Sequence, residues 1–246
     1  MVKRDEMTDE ESSYRKVLSS RPWTIKLTGR VFDDKERIEK DAEPLALEVR
    51  RLCEEGRPVI VVTGGGKRLR EVVGVLRSSG VGEGWLDMLG IEFSRLNARL
   101  MSLLIGADLC PEVPRDAQAS FKLLIERGCT CMGGVSPGFS TSAVAAMMAE
   151  ISRSEVLIVM TDVGGVYDAD PEREPRASML REVTVSELRG ILAEERRRAA
   201  HYPLMDEVAL EIIQRSKIRT CVTKPRAECL KELREGKCEG TWILPE

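Results

Sequence analysis

The sequence is poor in several features that mark specialised classes of protein. Aromatic residues make up 4% of its 246 residues and histidine occurs once, at His201. No apolar run approaches the roughly 20 residues that cross a bilayer, which argues against a membrane protein. The formal net charge is -3, from 38 basic and 41 acidic residues, so no overall positive field exists to hold nucleic acid. Any site for an anion must therefore be local.

Cysteine is present, but its spacing fits no zinc motif. The 7 cysteines are scattered without a CxxC pair, and only Cys129 and Cys131 are close together. We expect buried, reduced thiols instead of a zinc site, with Cys129 and Cys131 on one face of a strand. An odd number of cysteines and the lack of a signal peptide predict a cytoplasmic protein.

Hydrophobic periodicity divides the chain into a tail and one folded region. Residues 1–21 are polar without a sustained apolar period, which predicts a flexible extension. Over 22–246, strand-like apolar runs alternate with amphipathic segments, which predicts an αβα sandwich around a mostly parallel open sheet. No internal repeat or linker interrupts this region, so we predict a single domain. Its N-terminal lobe would cover about 22–153 and its C-terminal lobe about 154–246.

Hydrophobic periodicity, together with residues typical of helix and strand ends, predicts the individual helices and strands. The predicted helices are a segment that carries Leu45, Leu47, Val49 and Leu52 and stops at Gly56, followed by 67–76, 85–105, 116–127, 141–152, 184–195, 205–216 and 226–235. The predicted strands are 23–28, 58–63, 129–132, 155–161, 218–223 and 240–244. Asp116 is a good N-cap for its helix, and Gly128 is a good C-terminal stop.

Ligands of open parallel sheets bind beyond the carboxyl ends of the strands, and four strand ends here run into glycine-rich or polar turns. The first turn covers 26–30, Lys-Leu-Thr-Gly-Arg. Lys26 lies in an otherwise apolar strand, where an ammonium group is costly unless an anion meets it. Gly29 would let the backbone pass close to such a ligand. A solvated edge position for Lys26 is the alternative.

The second turn contains Gly64, Gly65 and Gly66 between a buried strand and a helix start. Such glycines leave free N–H groups at the positive end of the helix, and basic residues follow at once, so we expect contact with a phosphate. A plain tight turn would need fewer glycines. The Walker pattern Gly-x-x-x-x-Gly-Lys-[Ser/Thr] is absent.

The third and fourth turns, 133–141 and 161–171, are also suited to ligands. Backbone amides and the Ser140 and Thr141 hydroxyls could wrap a small polar or anionic ligand, or a hydroxyl could simply cap the next helix. In the fourth turn Tyr167 could cover a nucleobase, and Asp162 or Asp170 could accept a hydrogen bond from it or from a ribose. An acidic surface loop is the alternative there. Together the four turns predict a nucleotide and a second phosphorylated ligand.

The order of these turns resembles the amino acid kinase superfamily over residues 23–246. Within it, three segments are similar to archaeal-type uridylate (UMP) kinases. They are 86–98, with Leu-Asp-Met-Leu-Gly-Ile followed by Ser-Arg-Leu-Asn-Ala; the loop Gly134-x-x-Pro-Gly-x-Ser-Thr; and the run Thr161-Asp-Val-x-Gly-Val-Tyr-x-x-Asp-Pro. The resemblance implies transfer of a phosphoryl group from ATP to UMP with Mg²⁺. It also implies a homohexamer, a trimer of dimers, with the acceptor in the N-terminal lobe and ATP in the C-terminal lobe.

The resemblance also implies roles for single residues. Lys26, Gly29 and Arg30 would be catalytic, with Lys26 between the donor and acceptor phosphates. The UMP site would comprise Gly65, Asp87 (on the ribose), Gly134, Val135, Ser136, Pro137, Gly138, Phe139, Ser140 and Thr141. The ATP site would comprise Lys26, Thr28, Gly29, Arg30, Gly66, Arg70, Thr161, Asp162, Tyr167 and Asp170. No protein metal ligand is assigned.

Two positions depart from the family pattern, since many relatives have aspartate where this chain has Ser142 and Gly164. Two alternatives therefore stay open. One is another small-phosphate kinase, such as isopentenyl phosphate kinase, although that family uses an acceptor-site histidine and His201 lies far along the chain. The other is a non-catalytic ATP-binding relative that stores metal oxyanions or regulates.

Overall fold

The computed structural model describes residues 17, 19–169, 171, 174, 176–198 and 204–246. Most of the predicted tail lies outside these residues, as do Asp170 and His201. Side chains are described up to residue 193 of the helix that ends at Arg198, and again from 204.

The strands are β1 Trp23–Leu27, β2 Val59–Thr63, β3 Cys129–Met132, β4 Val156–Met160, β5 Val166–Tyr167, β6 Met179–Leu180, β7 Glu182–Thr184, β8 Thr220–Thr223 and β9 Thr241–Leu244. Within the described residues, seven of them form one sheet in the order β3-β2-β1-β4-β8-β9-β7. All neighbours from β3 to β8 are parallel, β9 is antiparallel to β8, and β7 is parallel to β9. The predicted mostly parallel sheet is confirmed.

The helices are α1 Glu43–Glu54, α2 Gly66–Ser78, α3 Glu83–Ile105, α4 Ala117–Arg127, α5 Thr141–Ile151, α6 Val185–Arg198, α7 Glu207–Ser216 and α8 Ala227–Arg234. Their ends follow the sequence signals. Asp116 accepts a hydrogen bond from the Ala119 amide at 2.8 Å, and Gly128 ends α4 with φ +73°. A helical stretch over 35–42, with a π-helical turn at Ile38–Ala42, leads into α1.

Both faces of the sheet are covered by helices, which makes the fold an αβα sandwich. One core packs alternate residues such as Val62 and Val159 against α5, α6 and α7. The other packs the intervening residues, such as Ile25 and Val61, against α1, α3 and α8. Strands buried on both faces read as continuous apolar runs, which is why the sequence revealed them. Lys26 is in register with Val62 and Val159, so it lies on the α5 side.

Three local features differ from the sequence predictions. The predicted helix over 184–195 is preceded by β7, and the β5–β6 pair was missed, because such short strands carry too few residues to show a period. The structure also joins Cys221 to Cys238 in a disulfide, so the expectation of reduced thiols is wrong for these two. Cys221 lies on β8, and Cys238 lies in the connection between α8 and β9. Cys129 and Cys131 are free and buried, as expected.

Candidate active site

The carboxyl ends of β1, β2, β3 and β4 lie along one edge of the sheet, because these strands are parallel and adjacent. Leu27, the last residue of β1, is in register with Thr63 of β2 and Met160 of β4. The turns that follow these strands therefore start side by side. The four segments predicted to bind ligands share this edge.

The first and second turns are in direct contact. The Gly64 amide donates a hydrogen bond to the Leu27 carbonyl at 2.9 Å. A Cβ atom at Gly29 would lie 2.3 Å from the Gly64 oxygen and 2.3 Å from the Gly66 nitrogen. Any side chain at position 29 would thus push the two turns apart. The close approach seen at Gly29 is to the second turn, and its contact with a ligand stays a prediction.

The start of α2 is already met by a carboxylate. Asp33 Oδ1 accepts a hydrogen bond from the Lys67 amide at 2.9 Å, and Oδ2 lies 3.2 Å from the same nitrogen. Gly66, with φ +85°, makes the bend possible, since a Cβ there would lie 2.5 Å from Asp33 Oδ1. The sequence predictions did not include Asp33. Its signal was position alone, a carboxylate shortly after the first turn.

Lys26 is half-buried on the α5 side of β1. Among the described residues its ammonium group makes no hydrogen bond or ion pair. Burial lowers the pKa of Lys26 to about 8; Asp162 acts to raise it and Arg70 to lower it. An unpaired ammonium group in such a place is stabilised when an anion binds beside it.

Asp162 links the fourth turn to the first through two arginines. Arg30 Nη1 lies 3.3 Å from Asp162 Oδ2, and Arg37 Nη2 hydrogen-bonds to Oδ1. Arg37 Nε also lies 3.1 Å from Asp41 Oδ2. The sequence predicted Arg30 and Asp162 but missed Arg37 and Asp41, which lie in an ordinary-looking charged helical stretch.

Helix α3 holds the second and third turns in place. The Asn97 amide donates a hydrogen bond to the Gly64 carbonyl at 2.7 Å, and Thr63 Oγ1 donates to the Ser94 carbonyl at 2.7 Å. Ser94 Oγ accepts from the Gly134 amide at 2.8 Å. Asn97 and Ser94 are buried, so their polar side chains are satisfied by these hydrogen bonds with the turns. The sequence gave these side chains no role beyond the family motif that contains them.

Asp87, near the start of the same helix, reaches the third turn. Its Oδ2 accepts a hydrogen bond from the Gly138 amide at 2.8 Å. Asp87 is exposed, and so are Ser136 to Gly138, whereas Val135, Phe139 and Ser140 are half-buried. The two parts of the predicted UMP site are therefore joined directly.

The third turn ends in the cap of α5. Ser140 Oγ accepts a hydrogen bond from the Ala143 amide at 3.1 Å, so the capping alternative is correct for Ser140. Thr141 is half-buried, and its Oγ1 would lie 3.8 Å from a Cβ at Gly64, which brings the third turn to the second. Ser142 is 9% exposed in the first turn of α5.

In the fourth turn, Thr161 Oγ1 accepts a hydrogen bond from the Gly164 amide at 3.1 Å. Gly164 has φ +78°, and a Cβ there would lie 2.3 Å from Lys224 Cγ, so Lys224 passes over this glycine. Tyr167 pairs with Met179 in the β5–β6 ladder, and no contact described above joins it to the other turns. Asp170 lies outside the described residues.

The comparisons with known proteins agree with this architecture. The model of the amino acid kinase family matches residues 23–224. The chain belongs to the amino acid kinase family. A uridylate kinase of Metallosphaera sedula is 38% identical over 200 residues, 81% of this chain and 88% of the relative. A uridylate kinase of Sulfolobus acidocaldarius is 35% identical over 235 residues, 91% of this chain and 99% of the relative.

Solved structures of the amino acid kinase family share the fold. The crystal structure of uridylate kinase from Archaeoglobus fulgidus has a TM-score of 0.77 and 30% identity, and the match covers 90% of this chain and 99% of that one. A UMP kinase structure from Bacillus anthracis has a TM-score of 0.74 at 19% identity, with 92% and 96% covered, and supports the fold alone.

The residues of this family member suit a metal ion that arrives with phosphates. In the described part of the chain, no group of three or more His, Cys, Asp or Glu side chains is arranged to hold a metal. Asp162 is the carboxylate at the end of β4, and both its oxygens are bound by arginines. Mg²⁺ prefers phosphate oxygens, waters and one or two carboxylates, so a phosphate-borne ion fits this donor set.

No described helix is long and apolar enough to cross a membrane.

Proposed function

We propose that this chain transfers the γ-phosphoryl group of ATP to UMP, giving UDP and ADP. The observation that carries the proposal is the Lys26 ammonium, which makes no hydrogen bond or ion pair among the described residues and is acted on by the charges of Asp162 and Arg70. The uridylate kinases of Metallosphaera sedula and Sulfolobus acidocaldarius, at 38% and 35% identity over more than four fifths of this chain, support the choice of acceptor. Cytoplasmic location and a hexamer built from dimers remain predictions.

The acceptor would lie between α3 and the third turn. Asp87, whose Oδ2 already accepts from the Gly138 amide, would accept hydrogen bonds from the ribose hydroxyls with its remaining lone pairs. Amides of the second and third turns would meet the uracil and the phosphate, with Gly65 and the Ser140–Thr141 segment closest to the sheet. Base reading by backbone amides requires no conspicuous side chain.

The donor would lie over the turns after β1 and β4. Thr161, Asp162 and Tyr167 would line the adenosine half, and Arg30, Gly66 and Arg70 would face the phosphates. When Arg30 turns toward a phosphate, Arg37 still balances the charge of Asp162. Mg²⁺ held by the ATP phosphates would neutralise developing charge, as in other phosphoryl transfers. Asp170, outside the described residues, stays in the proposed site from the sequence.

Catalysis would consist of alignment and charge neutralisation, because phosphoryl transfer requires little covalent chemistry from the protein. Lys26 would lie between the two phosphate groups and stabilise the equatorial oxygens of the transferred group. Its protonated form does this work. Bound phosphates favour the charged form, so the pKa of Lys26 rises on substrate binding.

The direct test is turnover of the purified full chain. Incubation with ATP, Mg²⁺ and UMP should release ADP and UDP. A coupled assay measures the ADP, and chromatography of the nucleotides identifies the UDP. CMP and isopentenyl phosphate, supplied at the same concentration, should be poorer acceptors. An ADP concentration no higher than in the acceptor-free control would refute the proposal. A higher rate with isopentenyl phosphate than with UMP would show that UMP is not the preferred acceptor.

A non-catalytic ATP-binding protein is the second candidate. The observation that favours it is Gly164 beneath Lys224, where many family members carry a carboxylate. This candidate predicts saturable ATP binding by calorimetry without ADP release in the presence of UMP. The turnover assay therefore separates the two.

A further inference from the structure

Four free cysteines from three parts of the chain lie together on the α3 side of the sheet. Cys53 is near the end of α1, Cys110 lies in the connection between α3 and α4, and Cys129 and Cys131 are on β3. We name these four residues the thiol cluster. Cys110, Cys129 and Cys131 are at most 2% exposed. The proposed kinase activity uses none of them.

The closest contact in the thiol cluster joins Cys110 to Cys129. Their Sγ atoms are 3.0 Å apart, and Cys131 Sγ lies 3.9 Å from Cys110 Sγ. A disulfide bond is about 2.05 Å long, so the first pair needs an approach of only about 1 Å. Residues two apart on a strand point to one face, which is why both β3 thiols meet Cys110.

The pKa shifts of the three thiols differ in direction. Hydrogen bonding with Cys129 and then with Cys131 lowers the pKa of Cys110, although burial and the charge of Asp108 oppose this. The pKa of Cys129 and that of Cys131 are raised, in each case chiefly by the hydrogen bond with Cys110. The thiolate is the reactive form of cysteine, so the geometry concentrates reactivity on Cys110.

The connection that carries Cys110 is the part of the thiol cluster best able to open. Residues 106–116 contain no helix or strand, and Pro111 is exposed. The connection is fastened by Arg50, which binds Asp108 through two hydrogen bonds of 2.8 and 2.9 Å, and by Arg99, which donates to the Pro111 carbonyl at 3.0 Å. Local opening of such a segment needs less free energy than unfolding of the sheet.

We propose that Cys110 and Cys129 form an oxidisable dithiol, in which a peroxide oxidises Cys110 and Cys129 then closes a disulfide that ties the α3–α4 connection to β3. The Cys110 thiolate attacks one peroxide oxygen, an S–O bond forms, the O–O bond breaks, and the leaving hydroxide takes a proton to become water. The Cys129 sulfur then attacks the Cys110 sulfur, the S–S bond forms, and a second water leaves. Two thiols and one hydrogen peroxide give one disulfide and two waters. The inference does not depend on the proposed function.

The test uses the full chain, hydrogen peroxide, and mapping of disulfides by mass spectrometry. After oxidation, remaining thiols are alkylated and the chain is digested with trypsin without reduction. Peptides 100–115 and 128–153 should then be found joined, lighter by two hydrogen atoms than their sum. The joined species should disappear on reduction. If Cys110 is recovered alkylated or over-oxidised while other thiols have reacted, the proposal is wrong.

Substitutions distinguish the partners, because Cys129 and Cys131 share one tryptic peptide. Cys129→Ser should abolish the joined species, whereas Cys131→Ser should keep it. The opposite pattern would overturn the pairing. Should Cys129→Ser fail to fold, fragmentation of the joined wild-type peptides shows directly which cysteine carries the bond. Cys229→Ser, outside the thiol cluster, is the control and should behave as the wild type.

The fastening by Arg50 gives a second, independent test. Asp108→Asn loosens the connection and removes a charge that disfavours the Cys110 thiolate, so disulfide closure should become about tenfold faster. Glu54→Gln removes the other carboxylate bound to Arg50 and leaves the connection fastened, so its rate should match the wild type. Equal rates for the wild type and both variants would contradict the opening step. Closure should also raise Tm by about 5–10 °C, as expected for a loop of this length.

Discussion

Arg30 and Asp162 form an ion pair of 3.3 Å that joins the turn after β1 to the turn after β4. Both residues were predicted from sequence to bind the same nucleotide. The structure adds Arg37 as a second partner of Asp162 and gives Asp162 a further effect, since its charge acts to raise the pKa of Lys26. One carboxylate thus affects both the proposed donor site and the ammonium group proposed to be catalytic.

The first prediction concerns this carboxylate. Asp162→Asn removes the charge that supports the protonated form of Lys26, so the Lys26 pKa should fall below about 8. The alkaline limb of kcat/KM against pH should then move to lower pH. Asp41→Asn is the matched control, because it removes another carboxylate bound to Arg37 and should leave the limb in place. A limb that moves equally in both variants would show that Asp162 has no special effect.

The second prediction uses the pH dependence of stability. The pKa of Lys26 is about 8 in the fold and 10.5 as a free side chain. Below pH 8 both states are protonated and the fold carries the full cost of the buried charge. Between about pH 8 and 10.5 the unfolded chain binds more protons, so the free energy of unfolding should rise with pH, by about 3 kcal/mol.

Lys26→Met should remove this rise and lower kcat by orders of magnitude while the fold survives. Urea unfolding at pH 7 and pH 10 measures the first effect, and the assay of ADP release measures the second. A variant that keeps the wild-type kcat would show that Lys26 is not catalytic.

The third prediction concerns the contact between the first two turns. Gly29→Ala places a Cβ 2.3 Å from backbone atoms of Gly64 and Gly66, which cannot rotate away. We expect a loss of about 3 kcal/mol in the free energy of unfolding, with low activity. Gly74→Ala, on α2 with open space around it, should be neutral or stabilising by about 0.5–1 kcal/mol. Chemical denaturation of both variants checks the contrast.

The fourth prediction separates the two substrates. Asp87→Asn keeps an oxygen for the Gly138 amide but loses one charge-assisted hydrogen bond to the acceptor. KM for UMP should rise about tenfold with little change in KM for ATP. Glu83→Gln, at the start of the same helix, should leave both constants unchanged. A selective change in KM for ATP would move Asp87 to the donor site.

The fifth prediction tests Lys224 over Gly164. Gly164→Asp introduces a carboxylate in the fourth turn, and aspartate tolerates φ +78°, but its Cβ would meet Lys224 Cγ at 2.3 Å. The single variant should lose stability, and adding Lys224→Ala should recover about 1 kcal/mol of the loss. A double-mutant cycle by urea unfolding measures this coupling. Strict additivity would mean that the two side chains do not compete for the same space.

Features set by local sequence were predictable. Buried parallel strands such as β2 showed as β-branched runs, and the ends of α4 followed from Asp116 and Gly128. The strand β7 and the β5–β6 pair were not predictable, because two or three residues define no period. The Cys221–Cys238 disulfide joins β8 to a connection 17 residues later, a contact that composition does not reveal.

The same division holds for the site. The turns at 26–30 and 64–66 could be recognised because an isolated lysine in a strand and successive glycines are unusual on their own. Asp33, Arg37, Asp41, Ser94 and Asn97 could not, since each is an ordinary helical or turn residue whose role arises from three-dimensional contacts. Asn97, for example, is separated from Gly64 by 33 residues in sequence but is hydrogen-bonded to it.

The carboxylate of Asp33 at the start of α2 has a consequence for the binding of anions at this helix end. It accepts a hydrogen bond from the Lys67 amide, so an anion that binds at this helix start must displace a carboxylate of the chain itself. Because the Asp33 carboxylate must be displaced, this helix end favours ligands with more than one negative charge over water or chloride. Neutralising the Asp33 carboxylate should let simple anions bind at the start of α2, where the charged carboxylate excludes them.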